Sequence, residues 1–196
     1  MDNDFTKRAA EQIRRAQRIL ETLRLEERWQ RIGVEAHPVG SMRMGLLAKH
    51  RDLDFHLYSD EIDLSADFAV MGALAAEPGI RWVQFGNALD TEEACVEWHA
   101  GYEDKQGDVW QIDLIHIRRG SRYDGYFEQV ADRICAVLTD EQRETILRLK
   151  FQTPDDEPIA GIEYYRAVIE GGVRTHKELT AWRQAHPARG VIEWMP

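Results

Sequence analysis

The stretch Val39-Gly40-Ser41-Met42-Arg43-Met44-Gly45-Leu46, followed by Arg51-Asp52-Leu53-Asp54-Phe55-His56-Leu57-Tyr58, decides how the chain reads. Its second half alternates polar and apolar residues, the pattern of a half-buried strand. A period of two sets Asp52 and Asp54 on one face and Leu53, Phe55 and Leu57 on the other. Neighbouring carboxylates repel unless something cationic stands between them, and a divalent metal ion is the usual answer. The Gly40-Ser41 turn leads into a short helix over Met42 to Leu47 and offers backbone N–H groups and a hydroxyl to a phosphate.

Upstream, Phe5, Ala9, Ile13, Ala16, Leu20 and Leu23 recur at helical spacing among charges, which predicts one amphipathic helix from Phe5 to Trp29, ended by Gly33. Val34 to Val39 is a short strand, bent at Pro38 and so near a sheet edge or strand end. Downstream, Asp63 or Ser65 caps a helix to about Ala76, with Leu64, Phe68, Met71 and Leu74 or Ala75 turned inward. Ile80 to Leu89, Ala94 to Tyr102 and Asp108 to Ile117 read as strands, the last two joined in a hairpin. A helix covers Tyr126 to Leu138. Thr139 caps the next, with Gln142 as its capping-box partner. Helices over Ile159 to Glu170 and Val173 to Ala185 are separated by Gly171-Gly172. The order predicts an α+β (α/β) fold, a mixed sheet of about five strands flanked by helices, with a C-terminal helical segment. Residues 1–120 would form the core with its N-terminal helix, and residues 121–196 a helical region packed on it.

The 196 residues are 43% hydrophobic and 31% charged, which favours a globular core over disorder. A formal net charge of −10 argues against a long polyanion, making nucleic acid an unlikely partner on composition, and suits a cationic or neutral substrate. Met1 to Arg31 carries no apolar segment of the signal-peptide kind. No apolar run approaches the ~20 residues of a membrane-spanning helix. Cys95 and Cys135 set up no disulfide framework, so a cytoplasmic setting is expected.

A third acid completes the opening motif. Asp113 sits within Gln111-Ile112-Asp113-Leu114-Ile115, where an unpaired buried charge would cost several kcal/mol. The other two aspartates supply a ready partner site. With Gly40-Ser41, Asp52-Leu53-Asp54 and Asp113, the sequence resembles the DNA polymerase β-type nucleotidyltransferase superfamily over about residues 34 to 117. Arg43 and Gly45 fall where members often read Gly-Ser-x-x-x-Gly. The chain departs at Arg51, where many relatives have Ser, and at Pro38.

The resemblance implies a nucleotidyltransferase fold and transfer of a nucleoside monophosphate from an NTP. Two Mg²⁺ ions about 4 Å apart would stabilise the attacking and leaving oxygens. Asp52, Asp54 and Asp113 would hold them, with Asp113 on the nucleophile's side. Gly40 and Ser41 would hold phosphates, and Arg43, Lys49 and Arg51 are candidate phosphate neutralisers. The acceptor would be a small molecule, such as a cationic aminoglycoside, or a protein side chain. The alternative is a non-catalytic or antitoxin-like module of the same fold acting with a protein partner.

Two lesser readings remain. A hairpin loop of Asp104 to Gln106 would place Glu97 opposite Asp113 as a general base. In the C-terminal helices, a tyrosine from Tyr164-Tyr165 could stack on the base, as an alternative to packing the helices on the sheet. The spacing of Cys95, His99, His116 and Cys135 matches no common zinc site.

Overall fold

The computed structural model describes residues 4–188 and 190–196. Helix α1 (Phe5–Leu23) starts at Asp4, whose side chain accepts from the Lys7 N–H at 2.9 Å. The helix expected to run on to Trp29 breaks at Arg24, which adopts a left-handed conformation (φ 49°), and resumes as α2 (Leu25–Gln30). The break swings Leu25 and Trp29 into the core, and Arg28 Nε donates to the freed Leu23 carbonyl at 2.7 Å. Strand β1 (Glu35–Pro38), the short α3 (Gly40–Arg43) and β2 (Asp52–Ser59) follow. Helix α4 (Leu64–Ala75) leads into β3 (Ile80–Ala88), β4 (Cys95–Glu103) and β5 (Val109–Arg118). The chain ends in α5 (Tyr126–Val137), α6 (Asp140–Gln152), α7 (Gly161–Ile169) and α8 (His176–Ala185). The expected capping box on α6 is present, Thr139 with Gln142. No helix among the described residues is long and apolar enough to cross a membrane.

The five strands form one mixed sheet in the order β1-β2-β5-β4-β3. Strands β2 and β5 run parallel, and every other pair is antiparallel. One face is apolar. Leu53, Phe55, Leu57, Ile112, Leu114 and Trp98 pack there beneath α1, α2 and α4. A second core joins Phe5 and Ala9 of α1 and Met44 and Leu46 to side chains of α5, α6, α7 and α8. Helix α1 therefore serves both cores.

Two local expectations are corrected. Phe68 does not turn inward; it is half exposed at the sheet's edge, packed against Phe85 and Trp98 with ring centroids 4.8 Å away. Its neighbour Asp67 is the buried residue. Its burial is met by hydrogen bonding: Asp67 Oδ2 lies 2.8 Å from His116 Nδ1, while His116 Nε2 lies 2.8 Å from Ser59 Oγ.

The β4–β5 hairpin has a longer loop than expected. Asp104 organises it: its carboxylate accepts from the N–H groups of Gln106 and Asp108 and from Trp110 Nε1, at 2.9, 3.1 and 3.0 Å. The pairing begins at Glu103 with Val109, so His99 faces Asp113 and Glu97 faces Ile115. Glu97 is thus one pair farther along the face than a three-residue loop would put it.

Candidate active site

The register of three strand pairs writes the polar face as rows. Asp54 lies beside Asp113, and beyond Asp113 come His99 and Gln84. In the next row Asp52 lies beside Gln111, followed by Gly101 and Trp82. The three aspartates of the sequence motif therefore meet on two adjacent parallel strands. The period of two put Asp52 and Asp54 on this face, and the parallel register brings Asp113 to them across the fold.

Gly40 closes the near side. It takes a left-handed conformation (φ 62°), and a Cβ there would stand 2.1 Å from Asp54 Oδ2. Only glycine fits both conditions. The Val39 N–H donates to the Asp54 carbonyl at 2.9 Å, which fixes the turn against β2.

The electrostatics follow from crowding. Burial, then the charges of Asp113 and Asp52, push the Asp54 carboxyl up to about 7. Asp52 is raised by burial and by Asp113. Asp113 is held from the other side. Gln111 Nε2 donates to both its oxygens at 2.9 and 3.1 Å, and His99 Nδ1 lies 2.6 Å from Oδ1.

Above Asp52 and Asp54 opens a cavity of about 640 Å³. Gly40, Ser41 and Met44 form one wall, Phe127, Val130 and Ile134 of α5 another, and Ile159, Ile162 and Tyr165 a third. Lys150 of α6 reaches this cavity from a buried position, donating to the Leu46 carbonyl at 2.9 Å and to the Tyr165 hydroxyl at 3.4 Å. Burial pulls the Lys150 ammonium down to about 8, against the opposing pull of Asp54 and Asp52. Nothing local in the chain marks Lys150, because only tertiary packing brings it here. Tyr165 lines the cavity, whereas the Tyr164 hydroxyl is spent on Thr153 Oγ1 at 2.9 Å. His56, also on the wall, is kept neutral by burial, its ring pulled down to about 4.

The three candidate cations of the motif region do not line this cavity. Arg43 pairs with Asp132 at 2.8 Å, Lys49 with Asp155 at 2.5 Å and Arg51 with Asp108 at 2.9 Å. Lys49 and Arg51 line a second cavity, of about 490 Å³, that shares His50 and Asp52 with the first.

The aspartate set fits Mg²⁺ by its chemistry. Its donors are hard carboxylate oxygens, and divalent cations offset both the burial and the neighbouring carboxylate charges that lift Asp54 and Asp52. Among the described residues, Glu93, Cys95 and Glu97 are the set whose ligand atoms all lie within 4.8 Å of one another. Burial, with the Glu97 and Glu93 charges, pushes the Cys95 thiol up to about 11, which disfavours the thiolate that a metal would bind.

The poly(A) polymerase complex GLD-2–GLD-3 matches with a TM-score of 0.59 at 14% identity, covering 95% of this chain and 64% of that one. The chain has the nucleotidyltransferase fold. A cytoplasmic RNA terminal U-transferase matches this nucleotidyltransferase fold with a TM-score of 0.54 at 18% identity, over 84% of this chain and 52% of that one. The Cid1 poly(U) polymerase with MgGTP bound gives 0.55 at 17% identity, over 86% and 55%. The chain thus spans between 52% and 64% of the length of these nucleotidyltransferase-fold structures. No protein-family model and no curated protein matches the sequence.

Proposed function

We propose that the chain is a Mg²⁺-dependent nucleotidyltransferase that moves a nucleoside monophosphate from an NTP to an acceptor hydroxyl or amine. The observation that carries this reading is the β2–β5 register, which sets Asp54 beside Asp113, with Asp52 one row away, below a cavity large enough for a nucleotide. When bound, Mg²⁺ supplies charge neutralisation at both the attacking and the leaving oxygens. Asp52 and Asp54 hold the ions, and Asp113 takes its place on the acceptor's side. Lys150 and the Ser41 hydroxyl face the phosphates from the cavity wall. The apolar walls from α5 and α7 take the base. The acceptor's nucleophile attacks the α-phosphorus, the bond to pyrophosphate breaks, and Asp113 takes the nucleophile's proton. Residues 1–120 would supply the catalytic carboxylates and residues 121–196 the roof over the donor.

The solved structures of this fold include polymerases and a transferase named for RNA, so a net charge of −10 does not set nucleic acid aside as acceptor. GLD-2 is seen there in complexes with GLD-3 and with RNP-8, which keeps a protein partner within this reading. Two unpaired cysteines suit a reducing cytoplasm.

The test mixes purified protein with Mg²⁺ and each labelled NTP, and follows nucleotide binding and pyrophosphate release. Asp52→Asn and Asp54→Asn are expected to remove Mg²⁺-dependent nucleotide binding while the fold is kept. Unchanged Mg²⁺-dependent affinity in both variants would sink the metal site and the function with it.

A further inference from the structure

The sheet ends on two unequal edges. Strand β1 closes one of them with four residues, Glu35–Pro38, and a short strand ended by proline discourages further pairing. Strand β3 closes the other with nine residues, Ile80–Ala88, and pairs on one side only, with β4. The irregularity in that pairing is confined to Ile80/Trp82, so residues 82–88 run in unbroken register. This run holds no proline, lysine or acid, the residues that usually blunt an edge. Its outward backbone N–H and C=O groups form a template for one more strand.

Aromatic exposure collects at this same edge. Among the described residues, the exposed phenylalanine and tryptophan side chains are Phe68, Trp82 and Phe85. Phe68 and Phe85 stand on the apolar side, their ring centroids 4.8 Å apart and each 4.8 Å from that of Trp98. Trp82 stands on the opposite side, laid over Gly101, where a Cβ would lie 2.1 Å from the indole nitrogen. A strand added to β3 would meet aromatic rings on both faces, and main-chain pairing flanked by side-chain contacts is how extended segments bind a sheet edge.

We propose that the occupant is a second copy of this chain, its β3 paired antiparallel with the first across a two-fold axis, so that two five-stranded sheets join into one. Charge selects this partner. Strand β3 has one charged side chain, Arg81, near its start, and the acids of Asp90-Thr91-Glu92-Glu93 follow directly after its end. Antiparallel pairing brings the start of each strand beside the end of the other, so each Arg81 meets the partner's acids, once on either side of the axis. A parallel copy would set like charges together. Arg81 already holds Glu103 at 2.9 Å, but that pair is open to water, at 54% and 37% exposure, and the guanidinium has donors enough for a second carboxylate. A two-fold axis normal to the sheet also keeps the faces in common, so Phe68 and Phe85 of one copy lie toward those of the other. The pairing is independent of the nucleotidyltransferase reading, since β3 carries none of the three aspartates.

The experiment measures the oligomeric state of the full-length protein by sedimentation across micromolar concentrations, and compares hydrogen exchange of the β3 amides between the wild type and Arg81→Glu diluted to monomer. The wild type is expected to be a dimer whose β3 amides exchange at least about tenfold more slowly than the monomer's. Phe85→Lys places a charge at the seam and should raise the dissociation constant by about thirtyfold or more. Arg81→Glu should raise it by about tenfold, and adding Asp90→Lys and Glu92→Lys to the same chain should restore it, because the two ends then attract with their signs exchanged. Arg81, Asp90 and Glu92 are exposed, so this series decides the matter even where Phe85→Lys fails to fold. The pairing is overturned by a monomer throughout, by a dimer that keeps its affinity in a folded Phe85→Lys, or by β3 amides that exchange as fast in the dimer as in the monomer. A dimer that Arg81→Glu weakens and the added lysines do not restore overturns the antiparallel arrangement.

Discussion

Asp54 in the ion-free protein is more stable protonated than charged, and that gives its pH dependence a sign. Its folded pKa of about 7 stands above the ordinary value of 3.8. Between those values the folded chain holds a proton that the unfolded chain has released, so the contribution to stability falls as pH rises, and levels off above about 7. Asp54→Asn removes the buried charge. In a chelator, its melting temperature should exceed that of wild type at about pH 8 and match it near pH 4, by thermal unfolding at each pH. Mg²⁺ should raise the wild type's melting temperature at the higher pH and leave the variant where it was. Lys150 is the opposite case, a buried cation whose replacement need not harm the fold. Lys150→Met is expected to weaken Mg²⁺–triphosphate binding by roughly tenfold or more, as loss of a charged hydrogen-bond donor does, with the unfolding midpoint little changed. Gly40→Ala acts on the same centre through geometry. The left-handed backbone there costs about 1 kcal/mol for alanine, and the new methyl must displace the Asp54 carboxylate. Nucleotide affinity should therefore fall further than stability does, which isothermal titration beside urea unfolding would show.

At the scale of the element, the α6 cap is a clean test, because this helix carries Lys150. Thr139 Oγ1 accepts from the Gln142 N–H at 3.2 Å, and the Gln142 side chain accepts from the Thr139 N–H at 3.0 Å. Thr139→Ala should cost about 1 kcal/mol by urea denaturation, with nucleotide affinity kept. That cap was legible because both partners lie within four residues of each other. So were the strands bearing Asp52, Asp54 and Asp113, since alternation is a local property. The hairpin register was not. A turn of ordinary length gives one pairing, and the Asp104 carboxylate, by gathering two N–H groups and the Trp110 indole, stabilises a loop two residues longer. His99 took the place opposite Asp113 in consequence. The inward turn of Asp67 in place of Phe68 was hidden for a related reason, since its partner His116 is supplied by a strand that lies far along the chain. Lys150 and the Trp82–Gly101 pair were illegible too, because their meaning arises only when separate elements pack side by side.

Across the whole molecule, α1 decides how far the parts depend on one another. Its first turns, with Phe5 and Ala9, belong to the core of the C-terminal helices, and its last turns, with Ala16, Ile19 and Leu23, belong to the core beneath the sheet. Between them Arg15 crosses to the β4–β5 loop, at 2.5 Å from Asp104 and 2.6 Å from Asp108, with its own side chain only 9% exposed. Residues 121–196 expressed alone would lose Phe5, Ala9, Met44 and Leu46 from their core, each large apolar side chain worth about 1.5–3 kcal/mol when buried. Total stabilities of domains are of the order of 5–15 kcal/mol, so that loss is enough to prevent folding. The fragment is expected to lack a cooperative thermal transition by circular dichroism. Mixing it with residues 1–120 should restore one only where both pieces are present. A cooperative transition in the isolated C-terminal fragment would show instead that the helical roof folds by itself and that α1 merely rests against it. On the proposed function the dependence matters, because the cavity over Asp52 and Asp54 draws its carboxylates from one part and Lys150 from the other, and a helix packed in both cores fixes their separation.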